Sequence, residues 1–177
     1  MIEALSHKIS DYVYRHNERG HVSREVMQFA INSILSNSIT FTLSLLIGLI
    51  DGAFWGTAMS LVAIALMRNL TGGYHFKSTT ACIVVSTAAV TVIPFIPVSD
   101  VAMYAMNAVA LGFVIAFAPS NLRGVTRLSE RQLQRMKWVG AILIAANFFY
   151  QSDILSLAFF VQSISLISGK RGENDDA

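Results

Sequence analysis

The sequence predicts an all-α, polytopic membrane helix bundle of about six transmembrane helices, preceded by an amphipathic N-terminal helix. Three observations predict it. Of 177 residues, 54% are hydrophobic and only 14% are charged, where soluble domains carry about 25% charged residues. Apolar stretches follow one another at about 29–50, 53–67, 81–97, 101–119, 138–152 and 154–168. When these six alternate across a membrane, all 13 basic residues fall on one side, as the excess of Lys and Arg in cytoplasmic segments requires.

Residues 1–28 are polar, but Ile2, Leu5, Ile9, Tyr12 and Val13 recur at spacings of three and four and give a short helix one apolar stripe. Two readings are open: the helix lies along the membrane surface, or it packs on the cytoplasmic end of the bundle. Several of the stretches that follow have only 15–17 residues. A 30 Å hydrocarbon core asks for about 20, so the bilayer thins or the flanks snorkel. The last two are either two spans or one re-entrant unit around Asp153, the only charge between Trp138 and Ser168.

The outer turns then fall at Asp51-Gly52, Ser99-Asp100 and Ser152-Asp153, without a lysine or arginine. Both termini and the segments 68–80 and 120–137 are cytoplasmic, in a multi-pass protein of the cell membrane. In 120–137, Arg123, Arg127, Arg131 and Arg135 stand four apart and would form one cationic stripe on a helix. Anionic lipid headgroups attract such a stripe at about 1 kcal/mol per charge; an acidic peptide is the other candidate. The tail 169–177 reads as disordered.

The same residues exclude several functions. A net charge of +2 does not fit a nucleic-acid partner, and a bundle this small leaves no separate soluble catalytic domain. No cleavable signal is visible, so the first span directs insertion. A single cysteine, Cys82, forms no internal disulfide and is either an inert packing thiol or a nucleophile. No cofactor is called for, since phosphate-binding glycine loops, GxSxG and HExxH are missing. No metal site is expected, because His7, His16 and His21 are remote from Cys82 and His75. Asn107, Asn147 and Gln162 lie within spans and read as interhelical hydrogen-bonding groups. A noncatalytic bundle, a small transporter or interaction subunit, would use them as a pathway. Transport also asks for charge near the bilayer middle, and the second, third and fourth spans have none.

One cytoplasmic segment departs from the apolar background. Arg68-Asn69-Leu70-Thr71-Gly72-Gly73-Tyr74-His75-Phe76-Lys77-Ser78-Thr79-Thr80-Ala81-Cys82 collects the cysteine, a histidine, two cations and a glycine pair. On one continuous helix His75 and Cys82 would share a face but lie about 10.5 Å apart, too far for proton transfer. Gly72-Gly73 can end the second span and turn the chain back, while Ser78, Thr79 and Thr80 are N-cap candidates for the third. With Thr79 as cap, Cys82 is the third helical residue, where free N–H groups and the positive helix end favour a thiolate and can hold a developing oxyanion. Lys77 and Arg68 add positive potential that would attract a carboxylate-bearing substrate. Ser86, one turn beyond Cys82, either bonds near the site or satisfies a helix carbonyl.

The string Arg68…Gly72-Gly73-Tyr74-His75…Cys82…Ser86, after a second apolar span in a short polytopic chain, resembles the signature of the accessory gene regulator B (AgrB) family. Length, six-span hydropathy and a basic loop opening with Ala118-Pro119 agree. Ser120-Asn121-Leu122-Arg123 departs from it, standing where lysines and a further proline are common. The resemblance implies a membrane cysteine endopeptidase of quorum sensing, with His75 and Cys82 as catalytic pair and an AgrD-like pro-peptide as substrate. It further implies cleavage at the peptide's C-terminal side, cyclisation to a thiolactone or lactone, and a homodimer. Arg68 and Lys77 would then orient the carboxylates of the leaving tail, and Gly72-Gly73 would let the substrate backbone approach.

Overall fold

The computed structural model describes residues 2–16, 23–74, 78–120 and 128–175. Among them the chain is all-α. Helix α1 spans Ile2–Arg15, α2 Arg24–Ile50, α3 Phe54–Thr71, α4 Thr79–Val92, α5 Asp100–Phe117, α6 Glu130–Tyr150 and α7 Asp153–Asp175, with a 3-10 turn at Ile93–Phe95. The described residues hold no strand, and an isolated parallel bridge pairs Gly72 with Ser120.

Serine sets most of the helix starts. Ser23, Ser78, Ser99 and Ser129 are the N-caps of α2, α4, α5 and α6, and each side-chain oxygen accepts the N–H three residues on, at 3.4 Å. Each such cap stabilises its helix by about 1 kcal/mol. At α6 the cap is reciprocal, with Gln132 Oε1 accepting the Ser129 N–H at 2.9 Å. After Val92 the chain passes into the 3-10 turn, whose second residue, Pro94, cannot continue the α-helical hydrogen bonding.

The packing is that of a bundle whose solvent is lipid. Helix α2 buries Thr40, Ser44 and Gly48, while Ile34, Phe41, Leu43, Leu46, Leu49 and Ile50 point outward. Ile50, Trp55, Val101 and Phe149 are each at least 80% exposed, whereas Ser44, Thr57, Ser60, Asn107 and Ser156 are fully enclosed. Small and polar faces that meet inside, with large apolar side chains outside, invert the arrangement of a water-soluble core. Helices α2 and α5 are long and apolar enough to cross a membrane; Thr79–Phe95 and Asp153–Ile167 are shorter apolar helical segments.

Two groups of helices build the molecule. The core, with Met67, Ala110, Val114, Ile144, Ala158 and Leu166, lies where α3, α5, α6 and α7 meet. Helix α7 packs chiefly on α5 and α3, while α2 packs on α3 and α4, and α1 on α2. Helix α1 turns Ser6 and Ser10 into the bundle and leaves Tyr12 and Val13 of its apolar stripe exposed. An exposed ion pair, Arg24 Nη2 to Asp11 Oδ1 at 2.6 Å, ties it to the start of α2.

Three sequence expectations change. The polar segment 1–28 is not one unit, because the Ser23 cap starts α2 at Arg24. The four arginines of 120–137 do not share one continuous helix: Ser129, with ψ 155°, is an extended cap, so α6 carries Arg131 and Arg135 and begins after Arg127. Arg123 and Arg127 lie outside the described residues. The tail is not disordered from residue 169, since α7 continues to Asp175; once a helix is nucleated, each added residue gains a hydrogen bond at little further cost. The last two apolar stretches form two separate helices, α6 and α7, joined at Gln151 in the left-handed conformation.

Candidate functional site

The site begins where α3 stops. Gly72 has φ +79° and Gly73 φ +145°, values that L side chains rarely adopt. The chain leaves α3 extended and is held by three other parts of the molecule. The Gly73 N–H donates to Ser120 O at 3.2 Å, the Ser120 N–H to Thr71 O at 3.0 Å, and the Tyr74 N–H to Ser165 O at 3.1 Å. Gln162 Nε2 donates to Gly72 O at 2.8 Å, and Arg68 Nη2 to Tyr74 O at 2.8 Å.

A Cβ on Gly73 would sit 2.6 Å from Ser165 Oγ and 3.0 Å from Gln162 Nε2. Gly73 therefore makes room for α7, which corrects the expectation that the glycine pair leaves space for a substrate backbone. Both glycines are buried under α7 and the 118–120 segment.

The return into α4 is capped by Ser78 and not by Thr79. Thr79 is thus the first helical residue and Cys82 the fourth. The Cys82 N–H already donates to Ser78 O at 3.1 Å, and the Ala81 N–H is taken by Ser78 Oγ. Among the described residues, the first-turn N–H groups of Thr79 and Thr80 meet no acceptor. The expectation that Thr79 is the cap and Cys82 the third residue fails because the Thr79 side chain is engaged elsewhere. Asn32 Nδ2 donates to Thr79 Oγ1 at 3.0 Å, and Thr79 Oγ1 to Asn32 Oδ1 at 3.4 Å.

Cys82 is half-buried and lines a cavity of about 320 Å³ between α2, α3 and α4. Arg68 from α3 and Ser86, one turn beyond Cys82 on α4, line the same cavity. The opposite wall is the face of α2 bearing Asn32, Ser33, Ser36, Asn37 and Thr40. Among the described residues of this lining, Arg68 is the one that carries a permanent charge. A second cleft of about 260 Å³, under α1, adjoins it through Phe29 and Asn32.

Of the residues singled out from the sequence, Arg68, Cys82 and Ser86 line one cavity, while Gly72 and Gly73 end α3 against α7 and Ser120. His75 and Lys77 lie outside the described residues. Sequence reasoning missed α2. Its polar residues at 32, 33, 36, 37 and 40 keep the helical repeat inside an otherwise apolar run, and that periodicity was the available signal.

The in-span amides act between helices. Asn147 Nδ2 donates to Ser156 Oγ at 2.8 Å, Ser152 O at 3.1 Å and Asn107 Oδ1 at 3.3 Å, and the Ser152 N–H donates back to Asn147 Oδ1 at 3.1 Å. This cluster joins α5, α6 and α7 at the end of the bundle away from Cys82.

Comparison with known proteins identifies the family. The family model described as Accessory gene regulator B matches residues 6–168. An AgrB-like protein of Halalkalibacterium halodurans is 28% identical over 145 residues, which cover 81% of this chain and 74% of that protein. No solved structure matches. The match takes in α2, the glycine turn, Cys82 and the core helices together, and the chain accordingly belongs to the Accessory gene regulator B family, as an all-α membrane protein of Agr-type quorum sensing.

Proposed function

We propose that the chain is a membrane cysteine endopeptidase that cleaves an AgrD-type pro-peptide at its C-terminal side, with Cys82 as nucleophile and His75 as general base. The observation that carries this reading is the setting of Cys82, which opens from the first turns of α4 into a cavity of mixed polar and apolar lining that also holds Arg68 and Ser86. A cysteine that serves only packing would be closed in by its neighbours and would not line an open cavity with a cation. Family membership supports the peptide substrate.

Cys82 Sγ attacks the scissile carbonyl while its proton passes to the His75 imidazole. The carbonyl oxygen becomes an oxyanion, and the unsatisfied N–H groups of Thr79 and Thr80 are the nearest backbone donors in the turn that carries the nucleophile. Collapse breaks the C–N bond, His75 returns the proton to the leaving amine, and the tail departs from a thioester. A thiol or hydroxyl within the bound peptide then attacks the thioester, frees the Cys82 thiol and closes a thiolactone or lactone ring. Arg68 and Lys77 draw the carboxylates of the tail, and Ser86 lines the wall behind the sulfur.

In this reading the end of the bundle with Cys82 is cytoplasmic. The described basic residues Arg24, Arg68, Arg131, Arg135 and Lys137 lie toward that end, whereas Asp51, Asp100 and Asp153 mark the opposite turns. Exposed Arg131 and Arg135 on α6 then face anionic headgroups.

Co-expression with short pro-peptides from the same genome, followed by mass spectrometry, tests the proposal. Cleavage lost in Cys82→Ser and in His75→Ala, at unchanged membrane expression, is expected. Cleavage that persists without Cys82 overturns it.

A further inference from the structure

The cavity has a second chemical character that the nucleophile does not use. Its α2 wall presents Asn32, Ser33, Ser36, Asn37 and Thr40, a stripe about 12 Å long at 1.5 Å rise per residue. Polar side chains on a lipid-embedded helix normally turn toward a neighbouring helix; Asn32 does so by pairing with Thr79, whereas Ser33, Ser36 and Asn37 face the cavity. The Asn37 carboxamide is exposed and has no hydrogen-bonding partner among the described residues. Ser36 Oγ donates to Ser33 O at 3.1 Å, and Thr40 Oγ1 to Ser36 O at 2.9 Å. Both hydroxyls therefore spend their proton on the helix and offer lone pairs to the cavity, where they can accept N–H groups. Asn37 can both donate and accept. A wall of neutral acceptors with a carboxamide matches the alternating N–H and C=O of an extended main chain, whereas an acyl chain would leave these groups unused. At about 3.3 Å per residue, 12 Å accommodates three or four residues.

We propose that this α2 stripe is the substrate-binding wall of the site, holding in extended form the three or four pro-peptide residues next to the scissile bond and selecting against cationic residues there. The proposal rests on Cys82 being the nucleophile. Selection follows from the lining: beside the stripe stand the apolar Phe41, Leu61, Ile64 and Val90 and the cation Arg68, with no carboxylate among the described lining residues, so a cationic substrate side chain beside Asn37 would be desolvated without a counter-ion.

The experiment has two readouts on the full-length protein in membranes. A photo-crosslinking amino acid at position 37, in the inactive Cys82→Ser background, is expected to label the pro-peptide, while one at the lipid-facing position 46 is not. In the active protein, Asn37→Ala and Ser36→Ala are each expected to raise KM about fivefold, the loss of one neutral hydrogen bond, with kcat little changed. A pro-peptide carrying a lysine beside the scissile bond is expected to be refused by the native protein and accepted by Asn37→Asp. Equal labelling from positions 37 and 46, with unchanged KM and no exchange of charge preference, overturns the proposal even where Cys82→Ser abolishes cleavage. Cleavage that survives Cys82→Ser refutes the peptidase reading instead, and labelling confined to position 37 would then still report peptide binding on the stripe.

Discussion

Gln162 on α7 donates from Nε2 to the carbonyl oxygen of Gly72 at 2.8 Å, across ninety residues of chain. The contact is buried, with Gln162 at 3% exposure. It fixes the point where α3 ends and the segment leading to Cys82 begins. The same turn of α7 accepts the Tyr74 N–H at Ser165 O, so one helix outside the cavity holds the 72–74 segment at both ends.

Replacing Gln162 by leucine leaves the Gly72 carbonyl without this buried donor. The expected cost is about 1–3 kcal/mol of stability, visible as a lower Tm in detergent. Under the peptidase reading, cleavage by the remaining folded protein is also slower, because the 72–74 segment loses an anchor. Gln162→Glu is expected to be at least as damaging, since a carboxylate cannot donate to the carbonyl.

Gly73 tests the same junction by volume. Gly73→Ala puts a Cβ at 2.6 Å from Ser165 Oγ on a backbone with φ +145°, and a loss of at least 1–3 kcal/mol is expected. Ser165→Ala removes the closest atom but leaves the backbone strain. The double variant is therefore expected to recover part of the Tm lost by Gly73→Ala. Full recovery would mean that the clash was the whole effect, and none would mean that the backbone was.

These long-range contacts mark the limit of what the sequence discloses. Helix type and number, the turns at Asp51, Ser99 and Ser152 and the end of α3 at Gly72 were legible, because apolar runs and Gly, Pro and Ser punctuation are local signals. The pairing of Gly72 with Ser120 and with Gln162 was not, because it joins residues 48 and 90 positions apart with no periodic trace. Ser78 and Thr79 were indistinguishable as caps until Asn32 was found to hold the threonine hydroxyl. The polar face of α2 could have been read from its spacing, but the surrounding hydropathy hid it.

Asn147 offers a control far from the cavity. Its carboxamide holds Ser152, Ser156 and Asn107 together where α6 turns into α7. Asn147→Leu is expected to cost about 2 kcal/mol or more by stranding the Ser152 N–H and its neighbours. The Tm should fall, while kcat/KM per folded molecule stays close to the native value. A large change in kcat/KM at unchanged Tm would instead couple this end of the bundle to the site.

The Asn32–Thr79 contact makes the sharpest prediction, because it joins the cavity-lining helix α2 to the first residue of the helix that carries Cys82. Both hydrogen-bonding directions are satisfied between the two side chains, at 3.0 and 3.4 Å. Thr79→Val and Asn32→Leu should each destabilise the junction, and the double variant should lose less than the sum, since each single change strands the other partner. A coupling of about 0.5–1.5 kcal/mol is expected from thermal or denaturant unfolding in detergent. Thr79→Ser keeps the hydroxyl and should retain most of the coupling with Asn32, whereas additive losses in the Asn32→Leu, Thr79→Val pair would mean that α2 and α4 are held by their apolar packing alone.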